Sequence, residues 1–345
     1  MWFGVRSRLA VRRVRRLERQ SAELVRDVDA MQVALVPEIP ARVGGLAVSV
    51  GYRPAEGPAA GGDFYDVFVP ARGKVAIILG DVAGHGHRAL TQAALTRYTV
   101  RAYLQAGMEP RAALALAGQV LARPNTEHFA TVVAAVYDSR EGVLTYASAG
   151  HPPPILHGLQ TREPPAVCAS PPVGWTVPTG RRQTTVSLPA GAVACFFSDG
   201  LVEACCKHGL LGRERLDELL GALGRRPSAV KLLARVRAAA QVTPDDMAAC
   251  IVVAEMAVVA AGVHIEELEI DSAGLDGGQA RRFLETCQLA GAEIERTLGR
   301  AEAMIARCAT AVLRVELSSF GTASAMVTEP TAPPPVTLAA GHARQ

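Results

Sequence analysis

Residues 63–81 read DFYDVFVPARGKVAIILGD, and this stretch decides the fold class. Segments 64–69 and 75–80 are rich in β-branched and aromatic residues, which suit a pleated, half-buried surface. Ala71-Arg72-Gly73-Lys74 between them reads as a hairpin loop. Upstream, segment 46–53 has the same β-rich character. Downstream, 88–107 and 109–122 carry apolar residues at three- and four-residue spacing, which predicts helices. Strands at 130–138 and 143–149 are joined by Ser139-Arg140-Glu141-Gly142, and the Pro-rich stretch 152–178 reads as loop. Strands at 183–188 and 192–198 precede helices at 213–221 and 227–240, and a strand at 248–254 closes the unit. Hairpin-linked strands with helices grouped between them argue for antiparallel sheets covered by helices, not for βαβ repeats. The expectation is an α+β protein with two sheets packed face to face and helices outside, over residues 41–256.

Two flanking pieces complete the chain. Residues 1–40 read as a basic amphipathic helix with Leu17, Leu24 and Met31 at heptad spacing, ended by Pro37 and Pro40. That seam suits a partner helix, an upstream sensor or a homodimer, and equally a helix packed on its own domain. Its arginines, Arg6 to Arg19, suit contact with an anionic membrane surface as well as plain solvation. Residues 257–328 form a small C-terminal α/β appendage: a strand at 264–270, two helices over 276–307 and a strand at 311–317. The tail, 329–345, is rich in Pro, Ala and Thr and is expected to be disordered.

Composition narrows the class further. The net charge is only +3, so nothing points to nucleic acid. No window approaches the ~20 apolar residues of a membrane span, and no secretory signal is evident, so a cytoplasmic location is expected. The cysteines number 7 and form no CxxC spacing, which argues against a zinc or disulfide framework.

Acidic residues recur at strand ends. Asp63 starts a strand, Asp81 and Asp199 end strands, and the pair Asp245/Asp246 precedes the last one. A carboxylate at the mouth of a buried strand is poorly solvated unless something neutralises it. Several converging carboxylates raise each other's pKa, and divalent cations remove both problems. Oxygen donors without a His/Cys cluster suit Mg²⁺ or Mn²⁺. Any single Asp-Gly is a turn signal; their recurrence at strand ends favours a metal-dependent hydrolase.

At these residues the chain resembles the PPM family of metal-dependent protein phosphatases, in its SpoIIE-type bacterial branch. The matching pieces run in order from Met31-Gln32-Val33-Ala34-Leu35-Val36-Pro37 and Tyr52-Arg53-Pro54-Ala55 to Gly61-Gly62-Asp63-Phe64-Tyr65-Asp66 and Gly80-Asp81-Val82-Ala83-Gly84-His85-Gly86. Ser148-Ala149-Gly150-His151-Pro152-Pro153, Ser198-Asp199-Gly200-Leu201-Val202-Glu203-Ala204 and Asp245-Asp246-Met247 follow. The resemblance implies a four-layer αββα sandwich with two Mn²⁺ or Mg²⁺ ions at one edge. It makes Asp63 and Asp81 the central catalytic ligands, Val82 a ligand through its carbonyl, and Asp199 and Asp245 the remaining metal ligands, with Asp246 supporting the turn. It further implies in-line attack on phosphorus by a metal-bridging hydroxide. The implied substrate is a phosphoserine or phosphothreonine protein, often an anti-sigma-factor antagonist whose dephosphorylation releases a sigma factor.

Other residues have two readings each. His85 and His87 could orient water, protonate the leaving group or only support the site; His151 reads as structural or site-supporting. Glu203 either steadies the Asp199 loop or starts a solvated helix, and Asp66 either backs the site or is exposed. Ala248 stands where the family carries a hydroxyl residue. The region 258–328 is similar to the start of an anti-sigma kinase-like ATPase domain but lacks its Asn-containing and glycine-rich ATP motifs. Two competing functions remain: a catalytically idle scaffold of the same fold, and a metal phosphoesterase acting on small molecules.

Overall fold

The computed structural model describes residues 36–54, 62–84, 86–122, 129–166, 170–207, 209–243, 245–255, 262–318 and 323–330. The expected helix over 9–35, residues 331–345 of the tail, His85 and the side chain of His87 lie outside them.

The opening hairpin forms as the sequence predicts. Strands β3 (Phe64–Phe68) and β4 (Lys74–Val82) pair antiparallel with Phe64 opposite Gly80 and Phe68 opposite Ala76. The loop is closed by the Lys74 N–H donating to the Ala71 carbonyl at 2.9 Å, and Gly73 supplies the positive φ of 87° that the turn needs. β4 is buried on both faces from Val75 to Leu79, which explains its unbroken apolar run.

Among the described residues two large antiparallel sheets and a short two-stranded ribbon, β10 (Cys205–Cys206) with β11 (Gly209–Leu210), build the molecule. The first has five strands in the order β1 (Arg42–Val43), β2 (Leu46–Arg53), β12 (Met247–Ala254), β9 (Val193–Phe197) and β7 (Ile155–His157). The second has eight, in the order β15 (Ala323–Thr328), β14 (Thr310–Leu317), β13 (His264–Asp271), β8 (Arg182–Ser187), β6 (Val143–Ala149), β5 (Ala130–Asp138), β4 and β3. Leu46, Ile77, Leu79, Val133, Phe196, Cys250 and Val252 belong to the core between the sheets. Fully burying each large apolar side chain there contributes about 1.5–3 kcal/mol.

Helices cover the outer faces. α1 (His87–Gln105) and α2 (Pro110–Leu121) lie on the eight-stranded sheet over Phe64, Ile78 and Val132. The short α3 (Asp199–Val202), α4 (Gly212–Gly221) and α5 (Ala229–Ala239) lie on the five-stranded sheet over Cys195, Phe197 and Ile251. The four layers are those expected. Asp66 belongs to the outer packing: it is 2% exposed and is held by Arg97 at 3.0 Å and Arg101 at 2.7 Å, both from α1. This corrects both readings offered for it, because its face of β3 looks toward the helix layer.

The C-terminal segment is joined edge to edge with the rest. β13 pairs along β8, with His264 opposite Val186 and Leu268 opposite Arg182. A one-turn α6 (Ser272–Asp276) precedes the two helices expected over 276–307, α7 (Gln279–Thr286) and α8 (Gly291–Cys308). The extra turn forms because the Asp271 carboxylate caps it, accepting the Gly274 N–H at 2.8 Å. β15 was not expected from the sequence. No helix among the described residues is long and apolar enough to cross a membrane.

Candidate metal centre

Side chains alternate between the faces of a strand, so every second residue looks into the space between the sheets. Tyr65 and Val67 on β3, Ile77 and Leu79 on β4, Ala194 and Phe196 on β9, and Ala248 and Cys250 on β12 fill that space. One step further along these rows come Asp63, Asp81, Ser198 and Asp246. Since β3 and β4 are antiparallel, Asp63 and Asp81 arrive at the same end. There the apolar core gives way to carboxylates and their hydrogen-bond donors. Asp199 opens α3, and Asp245 lies exposed just ahead of the buried Asp246.

The charges concentrate strongly. Burial, and then the Asp81 charge, hold the Asp63 carboxyl well above the usual carboxylate range, with the Ser198 hydrogen bond acting the other way. Asp81 is pushed up to about 7 by burial and then by Asp199, Asp245 and Asp246. Asp199 is raised by burial, then by Glu203 and Asp245. Carboxylates crowded in this way must be protonated or neutralised by cations.

Hydrogen bonds tie the cluster across both sheets. The Ser198 hydroxyl donates to Asp63 Oδ2 at 2.7 Å and accepts the Ala248 N–H at 2.9 Å. The Tyr52 hydroxyl, at the inward end of β2, donates to Asp246 Oδ2 at 2.8 Å; burial and then the Asp246 charge keep that phenol protonated. The sequence reading gives the turn to Asp246. In the structure Asp245 Oδ1 accepts the Asp246 N–H at 2.8 Å, while the Asp246 side chain reaches inward.

Two glycines permit the close approach. A Cβ on Gly62 would stand 2.5 Å from the Val82 carbonyl oxygen and 2.8 Å from Asp81 Oδ1. A Cβ on Gly200 would stand 1.9 Å from the Asp246 carbonyl oxygen. No other residue fits at either place, so the Asp63 strand presses on the Asp81–Val82 backbone and the Asp199 turn presses on the Asp245–Asp246 backbone.

The donor set is made of oxygen atoms, which suits a hard divalent cation rather than zinc. Among the described residues no three Asp, Glu, His or Cys side chains already stand close enough to hold an ion. Glu203 ends α3, its N–H donating to the Asp199 carbonyl at 2.8 Å, and it faces solvent. His151 is fully buried between the sheets. Ser198 and Tyr52 were missed as supporting residues, although both lie inside the motifs quoted from the sequence.

Residues 71–255 match the sequence model of the family described as Stage II sporulation protein E (SpoIIE). The chain belongs to the SpoIIE family. It is 27% identical over 161 residues to the phosphoserine phosphatase RsbU of Bacillus subtilis, a match covering 46% of this chain and 48% of that protein. The SpoIIE-family chain thus spans about half the length of that relative. Its fold is similar to the SiaA PP2C domain of Pseudomonas aeruginosa, with a TM-score of 0.57 and 19% identity over 69% of this chain and 98% of that one. It is also similar to the RsbU and RsbW domains of Rv1364c from Mycobacterium tuberculosis, with a TM-score of 0.52 and 21% identity over 85% of this chain and 84% of that one. These structural likenesses establish the PP2C-type fold.

Proposed function

We propose that this chain is a phosphoserine/phosphothreonine protein phosphatase dependent on two Mn²⁺ or Mg²⁺ ions. The observation that carries the reading is the convergence of Asp63, Asp81, Asp199 and Asp245 at one end of both sheets, with Asp63, Asp81 and Asp199 all pushed toward their protonated forms. The similarity to RsbU, a phosphoserine phosphatase, supports the same reaction class.

Asp63 and Asp81 are the central ligands, the Val82 carbonyl a backbone ligand, and Asp199 and Asp245 the ligands at the mouth. Asp245 suits this role because its charge bears on both Asp81 and Asp199, whereas Asp246 is engaged by Tyr52. Two such ions, when bound, would lower the pKa of a coordinated water and neutralise phosphoryl oxygens. The chain's own part is to hold the carboxylates in place through Ser198, Gly62 and Gly200. No side chain is required as a covalent nucleophile.

The substrate is a phosphorylated protein, with an anti-sigma-factor antagonist the favoured class and sigma-factor control the consequence. Residues 9–35 receive the signal from an upstream sensor or partner helix. The test measures Mn²⁺-dependent hydrolysis of para-nitrophenyl phosphate and of a phosphorylated antagonist protein, for wild type and Asp81→Ala. The expected result is turnover of both by wild type and of neither by the variant. Absence of metal binding and turnover would favour an idle scaffold; turnover of the ester alone would favour a small-molecule phosphoesterase.

A further inference from the structure

His151 is 0% exposed, and both of its ring nitrogens are engaged. Nε2 lies 3.0 Å from the Phe197 carbonyl oxygen, which can only accept, so Nε2 carries the proton. Nδ1 lies 2.8 Å from the Thr131 hydroxyl, which donates to it in the neutral ring. Burial lowers the imidazole pKa to about 4, in keeping with that tautomer.

The two anchors are what matter. Thr131 is the direct cross-strand partner of Asp81 in the eight-stranded sheet. Phe197 is the last residue of β9 in the five-stranded sheet, followed by Ser198, which holds Asp63, and by Asp199. The ring therefore spans the two sheets at the backbone positions that carry the carboxylates. The chain is turned to allow it: Gly150 has φ 69°, its N–H donates to the Ser170 carbonyl at 2.7 Å, and a Cβ there would stand 2.6 Å from Pro172 Cγ. A histidine that merely filled a hole would not need opposed polar anchors on two different sheets.

We propose that His151 is a positioning residue, a neutral strut that sets the distance between the Asp81 strand and the Asp199 turn. The inference rests on the metal-centre reading above. The residues that would hold a pair of cations have to be placed to about 0.5 Å for a site to function. A strut between the ligand-bearing backbones answers that need.

The test compares His151→Leu, which keeps bulk and removes both hydrogen bonds, with His151→Gln. The glutamine amide can donate to Phe197 and accept from Thr131 as the neutral ring does. Mn²⁺ affinity of the resting protein is read from the free-ion EPR signal during titration, alongside kcat and KM for para-nitrophenyl phosphate. His151→Leu should weaken Mn²⁺ binding about tenfold or more, while His151→Gln stays within about threefold of wild type. kcat at fixed Mn²⁺ should fall with His151→Leu while KM for the ester changes little.

Should His151→Leu fail to fold, Thr131→Val removes one anchor with the ring in place and should still weaken Mn²⁺ binding. Nitrogen NMR of ¹⁵N-histidine-labelled, metal-free protein should show His151 protonated at Nε2 only. Equal losses in His151→Leu and His151→Gln, unchanged Mn²⁺ affinity in a folded His151→Leu, or a proton on Nδ1 would each overturn the strut alone. A wild type that binds no Mn²⁺ overturns the phosphatase reading and the metal-spacing role with it.

Discussion

Ser198 shows how much a single side chain contributes here. Its hydroxyl satisfies the buried Asp63 carboxylate and the buried Ala248 N–H together, and it is the group that pulls the Asp63 pKa downward. In Ser198→Ala the Ala248 N–H is left without its acceptor in a dry core. An orphaned buried donor costs about 1–3 kcal/mol, so urea denaturation of the metal-free protein should show a loss of that size. An unchanged midpoint would mean the pair contributes nothing. The sequence presented Ser198 only as the residue before Asp199, because its partner Asp63 lies 135 positions away. Asp66 was obscured for the same reason. Its partners Arg97 and Arg101 are four residues apart on α1, a spacing that places both on one helix face, but nothing local says which acid they meet. The aspartates of the centre were easier to read, since each one interrupts or bounds an apolar strand.

The join between β8 and β13 is held by charge rather than by a greasy seam. Glu266 is 0% exposed and accepts from Arg182 at 3.0 Å and Thr184 at 2.9 Å, with His264 Nε2 2.9 Å from its other oxygen. On the other face Arg111 meets Glu269 at 2.6 Å, and at the end of the strand Arg181 meets Asp271 at 2.7 Å. Breaking a buried pair by removing one partner destabilises by about 3–5 kcal/mol. Glu266→Ala is therefore expected to lower stability by about 3 kcal/mol. Amide exchange should accelerate first at Glu269 and Ser187, whose N–H groups donate across this join to the Arg181 and Val263 carbonyls. Uniform loss of protection across both sheets would contradict a join that yields separately. The strand itself could be read from the sequence, since His264–Asp271 alternates. Its attachment could not, because Glu266 looks like one more solvated acid among Glu267, Glu269 and Asp271. β15 escaped notice because Ala-Ser-Ala-Met-Val-Thr carries little hydrophobic contrast and borders a Pro-rich tail.

The two sheets together store a charge conflict that pH should expose. Asp63, Asp81 and Asp199 all have folded-state pKa values above the unfolded value of about 3.9. Their stabilising contribution is fully present below about pH 4 and is lost as pH rises through the folded values, near 7 for Asp81. His151 runs the other way: its pKa is lowered to about 4, so its contribution is present above the unfolded value of about 6.5 and fades as pH falls. Three carboxylates oppose one imidazole across the same window. In EDTA the melting temperature should therefore fall from pH 5 to pH 8, with His151→Gln steepening the fall and Asp81→Asn flattening it. Saturating Mn²⁺ should reverse the slope, because metal binding displaces protons and strengthens with pH. Free Mn²⁺ at a hundred times its Kd adds about 2.7 kcal/mol, and this gain should be absent in Asp81→Asn. Calorimetry at pH 5 and pH 8, with and without metal, decides the matter. A metal-free protein that grows more stable toward pH 8 would show that the carboxylates do not bear on one another, and the centre would lose its electrostatic basis.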